Sequence, residues 1–181
     1  MAFEKLKEVF QGQIFTDEET VGEVQADFGG LVNRTPAAVA VPSSVKDVAV
    51  LVKMAGAEGW TITTRGASHS QSGQSLSQGG ILLDMSSLNR VENVGRHSTW
   101  VQAGATWSAV VRASLESNLL PPVIPGYLDV TVGGTLSVGG VGASSFRLGH
   151  QALYVDELEV ITGEGHLVRC ASDENAVLFN C

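Results

Sequence analysis

The residues best suited to chemistry surround His69, in a polar loop at positions 65–75. The loop reads Arg-Gly-Ala-Ser-His-Ser-Gln-Ser-Gly-Gln-Ser and follows a β-rich stretch. Glycine permits positive φ angles, and its missing Cβ lets backbone N–H groups approach an oxyanion, while serine hydroxyls add further donors. The composition therefore indicates either a phosphate-binding loop or a set of tight turns and close-packed glycines.

A second segment of similar composition lies at positions 131–142, Thr-Val-Gly-Gly-Thr-Leu-Ser-Val-Gly-Gly-Val-Gly. Neither segment matches G-x-G-x-x-G at the start of a helix or G-x-x-x-x-G-K-[ST], so Rossmann and P-loop sites are not expected. Two separate glycine-rich loops favour a pyrophosphate held from two sides. Because such a site uses neutral backbone donors, it is compatible with the net charge of −8.

His69 itself stands between Ser68 and Ser70, not among apolar neighbours. A lone loop histidine is commonly solvated or hydrogen-bonded, and a ligand role is the alternative. No metal site is expected, because the other three histidines are scattered along the chain and are predicted to occupy surface or turn positions. No G-x-S-x-G elbow is present, which leaves a Ser-His-Asp triad open but without a motif to support it.

Composition excludes several classes of protein. Of the 181 residues, 44% are hydrophobic and 17% charged, which excludes intrinsic disorder. The 11 basic and 19 acidic side chains argue against a nucleic-acid partner, since such binding needs clustered cations. No apolar run approaches the roughly 20 residues of a membrane helix. Two cysteines, and a charged N-terminus unlike a secretory signal, predict a reducing compartment and a cytoplasmic location.

The elements that position these loops follow from local patterns. Apolar residues at helical spacing predict a helix that is capped by Ser43 or Ser44 and ends near Gly59. Thr106 is expected to cap a second amphipathic helix. Strands are predicted at 39–41, 60–64, 81–85 and 99–103, a β-hairpin at 155–161 and 166–170, and short helices at 3–10 and, capped by Ser172, at 173–179.

This order of elements favours an α+β fold in two lobes over a doubly wound parallel sheet. We expect a peripheral N-terminal segment at residues 1–35, a first lobe at 36–95 and a second, incomplete lobe at 96–181. The last short helix would normally pack against residues further along the chain. The sequence therefore suggests a truncated polypeptide.

Three blocks of residues carry a resemblance to a known family. The first comprises Asp-Phe-Gly-Gly at 27–30 with Pro-Ala-Ala-Val at 36–39 and Pro-Ser-Ser-Val-Lys-Asp at 42–47. The second, at 65–74, resembles the pattern R-G-x-G-H-S-x-x-G-Q. The third covers 127–151 and runs into the hairpin with Val160 and Thr162-Gly163. From about residue 27 onward, the chain resembles the PCMH-type FAD-binding domain of the vanillyl-alcohol oxidase superfamily, and within it the cytokinin dehydrogenases.

The resemblance implies an FAD laid between two α+β lobes, with a ring nitrogen of His69 bonded to the 8α-methyl group of the flavin. It further implies FAD contacts at Thr64, Gly66, Ala67, Ser68, Ser70, Gln74, Thr131, Ser137 and Val141. The family's substrate-binding cap domain is absent from these 181 residues.

Two residues depart from the family pattern. Ser68 stands where glycine is usual, which costs on the order of 1 kcal/mol if the position requires a positive φ. Gly126 stands where cytokinin dehydrogenases carry the aspartate that acts as catalytic base. Asp129 lies three residues further on, about 10 Å away at ~3.3 Å per extended residue. The catalytic residue is therefore left unassigned.

The resemblance implies an FAD-linked oxidase or dehydrogenase that oxidises a C–N or C–O bond of a small molecule by hydride transfer to flavin. Electrons would then pass to O₂ or another acceptor, and the cofactor would supply the redox chemistry. The alternatives are an alcohol or sugar oxidase on the same fold and a flavin-binding module without activity. As an isolated fragment, the chain is expected to be inactive.

Overall fold

The computed structural model describes residues 3–181, which divide into two compact units. Residues up to Ser87 together with Glu157–Cys181 form the first unit, and Leu88–Asp156 form the second. The mixed α+β architecture expected from the sequence is confirmed. The hairpin near the C-terminus belongs to the first unit, which differs from the boundary at residues 95 and 96 that the sequence suggested.

The first unit contains β1 to β6 and four helices. Its strands are β1 (Gln13–Phe15), β2 (Ala38–Val41), β3 (Ile62–Arg65), β4 (Ile81–Asp84), β5 (Glu157–Ile161) and β6 (Leu167–Ala171). Its helices are α1 (Glu4–Val9), α2 (Glu18–Glu23), α3 (Val45–Glu58) and α7 (Ala176–Phe179). The second unit holds α4 (Trp107–Glu116), α5 (Val132–Leu136) and α6 (Ser145–Leu148).

A four-stranded sheet in the order β1-β2-β4-β3 forms the centre of the first unit. Strand β1 is antiparallel to β2, while β4 runs parallel to both β2 and β3. Val39 and Leu82 of the two central strands are buried together with Val21 of α2. Strands β5 and β6 form a separate antiparallel hairpin, as predicted. Parallel pairing places the loops after β3 and β4 at one edge of the sheet.

Helix α3 connects β2 to β3. It begins after Ser44 and ends at Gly59, as the sequence predicted. The Ser44 side chain accepts a hydrogen bond from the Asp47 N–H, which caps the first turn. Gly59 ends the helix in a left-handed conformation with φ of 71°. Leu51, on the buried face, is completely inaccessible to solvent. The helix thus fixes where β3, and the loop after it, begin.

Residues 3–35 contribute more to the core of the first unit than the peripheral segment that the sequence suggested at 1–35. Strand β1 pairs with β2 at the edge of the sheet. Leu6 of α1 is fully buried, and Phe10 retains only 5% of its exposure. The short helix predicted at 3–10 is confirmed as α1. This segment therefore belongs to the core of the first unit.

Two local predictions are wrong. The strand expected at 99–103 is reduced to one antiparallel bridge between Val101 and Val91, flanked by backbone hydrogen bonds from Glu92 to Trp100 and from Gln102 to Arg90. The helix at the C-terminal end is not capped by Ser172. Ala171 and Glu174 exchange backbone hydrogen bonds in a tight turn there, so α7 begins only at Ala176.

Candidate functional site

The His69 loop begins where β3 ends. Arg65, the last residue of β3, pairs in register with Asp84 of β4, and its guanidinium donates to the Val24 carbonyl at 2.8 Å. Burial lowers the pKa of Arg65, and the nearby Asp84 carboxylate opposes this shift. Both contacts hold the start of the loop to the sheet edge and to the segment after α2. Thr64, one residue earlier, is exposed on β3.

Ser68 has a left-handed backbone, with φ of 58°. This is the position where the family pattern has glycine, and the geometry supplies the reason, since a positive φ strains a residue with a Cβ. The turn leaves the N–H groups of Ala67, Ser68 and Ser70 without an acceptor anywhere in residues 3–181. Neighbouring N–H donors of this kind can bind the anionic or carbonyl oxygens of a ligand.

His69 is half-buried and contacts an aromatic side chain. Its imidazole ring meets the Phe28 ring edge-on, with centroids 4.2 Å apart and an interplanar angle of 68°. The Phe28 N–H also donates to the Ser70 carbonyl at 3.1 Å. Phe28 thus holds both the histidine side chain and the backbone beside it.

Residues 27–30 form a turn that presents Phe28 to the His69 loop. Asp27 is only 5% exposed, and its Oδ1 accepts from the N–H groups of Leu31 and Val32 at 2.9 and 3.2 Å. The contact of Phe28 with His69 joins positions 41 residues apart.

The far end of the loop is closed by Gly73, which has φ of 73°. A Cβ there would lie 2.7 Å from Cγ1 of Val32, so the Val32 side chain can pack against this backbone only because the residue is glycine. The Arg34 guanidinium donates to the Gly73 carbonyl at 3.3 Å. Gln74 is exposed, and its side-chain oxygen accepts from the Ser72 N–H at 3.1 Å. Gly66 lies between β3 and Ser68 at the start of the same turn.

The second glycine-rich segment lies in the second unit and begins as helix α5 instead of a loop. Thr131 is buried and caps this helix by accepting from the Gly134 N–H at 3.3 Å. Gly133 donates to the Ala103 carbonyl at 2.8 Å, and a Cβ at Gly133 would lie 2.8 Å from Cβ of Ala103. Glycine is therefore required here for close packing, the alternative that composition had left open.

Beyond α5 the segment opens to solvent. Ser137 is exposed and donates its hydroxyl to the Gly133 carbonyl at 2.8 Å. Val141 is 71% exposed, and its N–H donates to no acceptor in the described part of the chain. Gly126 is exposed, and a Cβ added to it would contact nothing within 4 Å. An apolar side chain and a free donor are thus presented together at Val141.

The ten predicted cofactor residues fall into two groups. Seven belong to the first unit and lie within Thr64–Gln74, while Thr131, Ser137 and Val141 belong to the second. Within residues 3–181, no three His, Cys, Asp or Glu side chains are close enough to hold a metal ion. No helix in that same range has the length and apolar character that a membrane span needs.

These features define an α+β cofactor-binding domain with a histidine in its donor-rich loop. The family model of the FAD binding domain matches residues 36–171. The chain therefore belongs to this FAD-binding family, that of the vanillyl-alcohol oxidase superfamily with its PCMH-type domain, as the resemblance predicted.

Individual relatives agree with this assignment. An uncharacterized oxidoreductase (ORF5 of the fasciation locus) of Rhodococcoides fascians is 41% identical over 91% of this chain and 38% of its own length. Cytokinin dehydrogenase 10 of Oryza sativa subsp. japonica is 36% identical over 92% of this chain and 32% of its own. The chain thus spans about a third of the length of the curated relatives that it matches.

The fold agrees with a solved structure as well. 6-Hydroxy-D-nicotine oxidase from Arthrobacter nicotinovorans superposes with a TM-score of 0.86 at 24% identity, covering 94% of this chain and 38% of the oxidase. At this level of identity the similarity establishes the fold only.

Proposed function

We propose that the chain is the flavin-binding portion of an FAD-dependent oxidoreductase that oxidises a C–N or C–O bond of a small molecule. One observation supports this more than any other: the left-handed Ser68 leaves a row of unpaired N–H donors beside His69. A cytokinin-dehydrogenase-like reaction is the first candidate, because relatives with that name share the loop-bearing region at 36% identity. The cytoplasmic location stays a prediction from the sequence.

The chain's residues fit FAD in two respects. First, the chain offers unpaired backbone N–H donors, those of Ala67, Ser68, Ser70 and Val141. The flavin and pyrophosphate oxygens of FAD are acceptors for such donors. At Gly73 and Gly133 an added Cβ would overlap Val32 or Ala103, so glycine determines the backbone path of both glycine-rich segments. Both features use neutral groups, so the acidic net charge does not oppose binding.

His69 is proposed to hold the cofactor covalently. A ring nitrogen of His69 would hold FAD through a bond to its 8α-methyl carbon, in place of the imidazole proton and one methyl hydrogen. The two electrons released would pass to O₂, giving hydrogen peroxide. The half-buried ring, restrained by Phe28, is suited to this role because its orientation is already restricted before the ligand arrives.

When bound, FAD supplies the hydride acceptor and the route for electrons to O₂ or another acceptor. The protein's contribution is binding and orientation. The donors of the 65–75 loop bind and orient the cofactor, and the covalent bond prevents its loss. Thr64, Gly66, Gln74, Thr131 and Ser137 are proposed to complete the contacts. A substrate base is not among the residues assigned.

The first test is the absorbance spectrum and flavin content of the purified full-length protein. A yellow protein containing about one FAD per chain is expected, and a colourless protein without FAD would overturn the proposal. Substrate assays against cytokinins, other amines and alcohols, with either O₂ or an artificial electron acceptor, then identify the oxidised bond.

A second candidate is an alcohol or sugar oxidase on the same fold. Gly126 favours it, because the position of the amine-binding aspartate has no side chain although the space there is open. The Gly126→Asp variant tests this. Gain of amine oxidation with loss of alcohol or sugar oxidation supports the second candidate. Cytokinin oxidation by the wild type contradicts it.

A non-catalytic flavin-binding module is the third candidate, because Gly126 stands at the position of the family's catalytic aspartate and has no side chain to act as a base. Anaerobic mixing of the flavin-loaded protein with the same substrates distinguishes it from the enzymes. Bleaching of the flavin absorbance by any substrate excludes this candidate. An unchanged spectrum with every substrate supports it.

A further inference from the structure

We propose that Phe28 is a positioning residue that sets the orientation of the His69 imidazole for attachment to flavin. This inference rests on the proposed function, since it concerns how the chain prepares His69 for the cofactor. Phe28 touches His69 and not a reacting atom, so its effect is exerted through the histidine.

The segment that presents Phe28 is a closed turn built around Asp27. The Asp27 N–H donates to the Val32 carbonyl at 3.1 Å, and the Gly30 N–H donates to the Asp27 carbonyl at 3.0 Å. The buried Asp27 carboxylate accepts two further N–H groups of the same turn through Oδ1. Five residues are thereby fixed around one side chain, and Phe28 projects from a rigid base.

This turn and the residues just after it contact the His69 loop at two points, both following the histidine. At the first, the Phe28 N–H donates to the Ser70 carbonyl. At the second, Val32 packs against Gly73 at a distance where no Cβ fits, and the Arg34 guanidinium donates to the Gly73 carbonyl. The backbone of the loop is thus fixed by these contacts, which leaves the Phe28 ring to restrict the imidazole itself.

The exposure of Phe28 indicates that its ring has a purpose other than core packing. The side chain is 58% exposed, whereas Phe10 of the same unit is 5% exposed. An aromatic ring left largely in water contributes little through burial. Its contact with the imidazole is edge-to-face, a geometry that aromatic pairs prefer and that restricts the ring angle of both partners.

Orientation of the imidazole governs the attachment step because the ring nitrogen must approach the methyl carbon in a narrow range of directions. Small displacements of a reacting group reduce rates steeply. Removing the Phe28 ring should therefore slow attachment without preventing FAD from binding to the backbone donors. This separation of attachment from binding is the signature of a positioning residue.

The experiment compares Phe28→Leu, Phe28→Tyr and Leu31→Ala in the full-length protein. Leucine removes the ring while keeping an apolar side chain, tyrosine restores the ring, and Leu31 is a matched control from the same turn with 82% exposure. Purified apoprotein is mixed with FAD, and the flavin retained by acid-precipitated protein is measured over time, alongside total bound flavin.

We expect Phe28→Leu to slow covalent attachment on the order of fivefold, consistent with the loss of one ring contact, while total bound flavin is unchanged. Phe28→Tyr and Leu31→Ala should match the wild type. Equal attachment rates in Phe28→Leu and wild type overturn the inference, as does a defect that Phe28→Tyr fails to restore. Absence of covalent flavin in every variant, including the wild type, instead contradicts the proposed covalent role of His69.

A second readout needs no flavin. The imidazole protons of His69 lie within the ring-current field of Phe28. Their NMR chemical shifts in the apoprotein should therefore differ from the wild type in Phe28→Leu and match it in Leu31→Ala. The His69→Ala variant assigns the signal among the four histidines. Unmoved His69 signals in Phe28→Leu overturn the inference even if the protein binds no cofactor.

Discussion

Ser43 donates both its backbone N–H and its hydroxyl to the Asp47 carboxylate, at 2.7 and 2.6 Å. The other carboxylate oxygen accepts from the Gln11 N–H at 2.9 Å, which ties the chain before β1 to the start of α3. Asp47 is only 1% exposed. Burial raises the pKa of this carboxyl, but the hydrogen bonds from Ser43, Gln11 and Ser44 outweigh it, and the net pKa lies below its ordinary value.

Asp47→Asn should reduce the free energy of unfolding by about 2 kcal/mol at neutral pH, since hydrogen bonds to a buried charged group are worth more than neutral ones. Urea unfolding followed by circular dichroism measures the change. Asp17→Asn is the control, because Asp17 caps α2 at an exposed position. A larger loss in Asp17→Asn than in Asp47→Asn would contradict the account.

The pH dependence of the Asp47 contribution follows from the direction of the shift. The folded-state pKa is lower than the unfolded one, so the stabilisation is fully present above the unfolded pKa of about 3.9. It disappears as the pH falls through the folded-state pKa. Unfolding measured from neutral to acid pH should therefore show the wild type and Asp47→Asn converging below about pH 4. A difference that stays constant into acid would contradict this.

Ser68→Gly should stabilise the protein by about 1 kcal/mol, because glycine adopts the positive φ without the strain that serine bears. The greater freedom of glycine in the unfolded chain opposes part of this gain. Ser70→Gly is the matched control, since Ser70 lacks a positive φ and should only lose stability. Thermal unfolding of the two variants should give shifts of opposite sign. Destabilisation by both substitutions to the same extent would contradict the strained geometry of Ser68.

Much of the fold follows from local sequence patterns. The caps at Ser44, Gly59 and Thr106 were predictable because each residue supplies the donor, acceptor or left-handed backbone that a helix end needs. The C-terminal hairpin was predictable because its two β-rich runs flank Gly163 and Gly165. The flavin-binding role of the His69 loop stays a prediction, based on its glycine and serine composition together with the family resemblance.

Non-local contacts explain what the sequence could not predict. Helix α5 forms in the second glycine-rich segment because Thr131 caps it and Ala103, distant in sequence, accepts from Gly133. The edge position of β1 depends on its pairing with β2. A strand of three residues is too short for its sequence pattern to predict that pairing. The contact between Phe28 and His69 has the same origin. Positions that depend on a distant partner leave little trace in local periodicity.

Gly142→Ala should destabilise the second unit by about 2 kcal/mol or more, because overpacking a close backbone contact forces the chain apart. An added Cβ would overlap the Ile124 carbonyl oxygen and come within 2.7 Å of its carbon. Gly126→Ala is the control, because its Cβ would meet nothing within 4 Å and its φ is not positive. Denaturant unfolding should separate the two variants clearly. Equal stabilities would contradict the close pairing of Gly142 with the segment at Pro125.

The central claim is that the loop at 65–75 binds FAD through a bond to His69. The most direct measurement is flavin fluorescence in acid-precipitated full-length protein, compared between wild type and His69→Ala after equal exposure to FAD. We predict fluorescence in the wild-type pellet and none in the His69→Ala pellet, with flavin still released from the variant into the supernatant. Fluorescence confined to the wild-type supernatant, or equal fluorescence in both pellets, would contradict the claim.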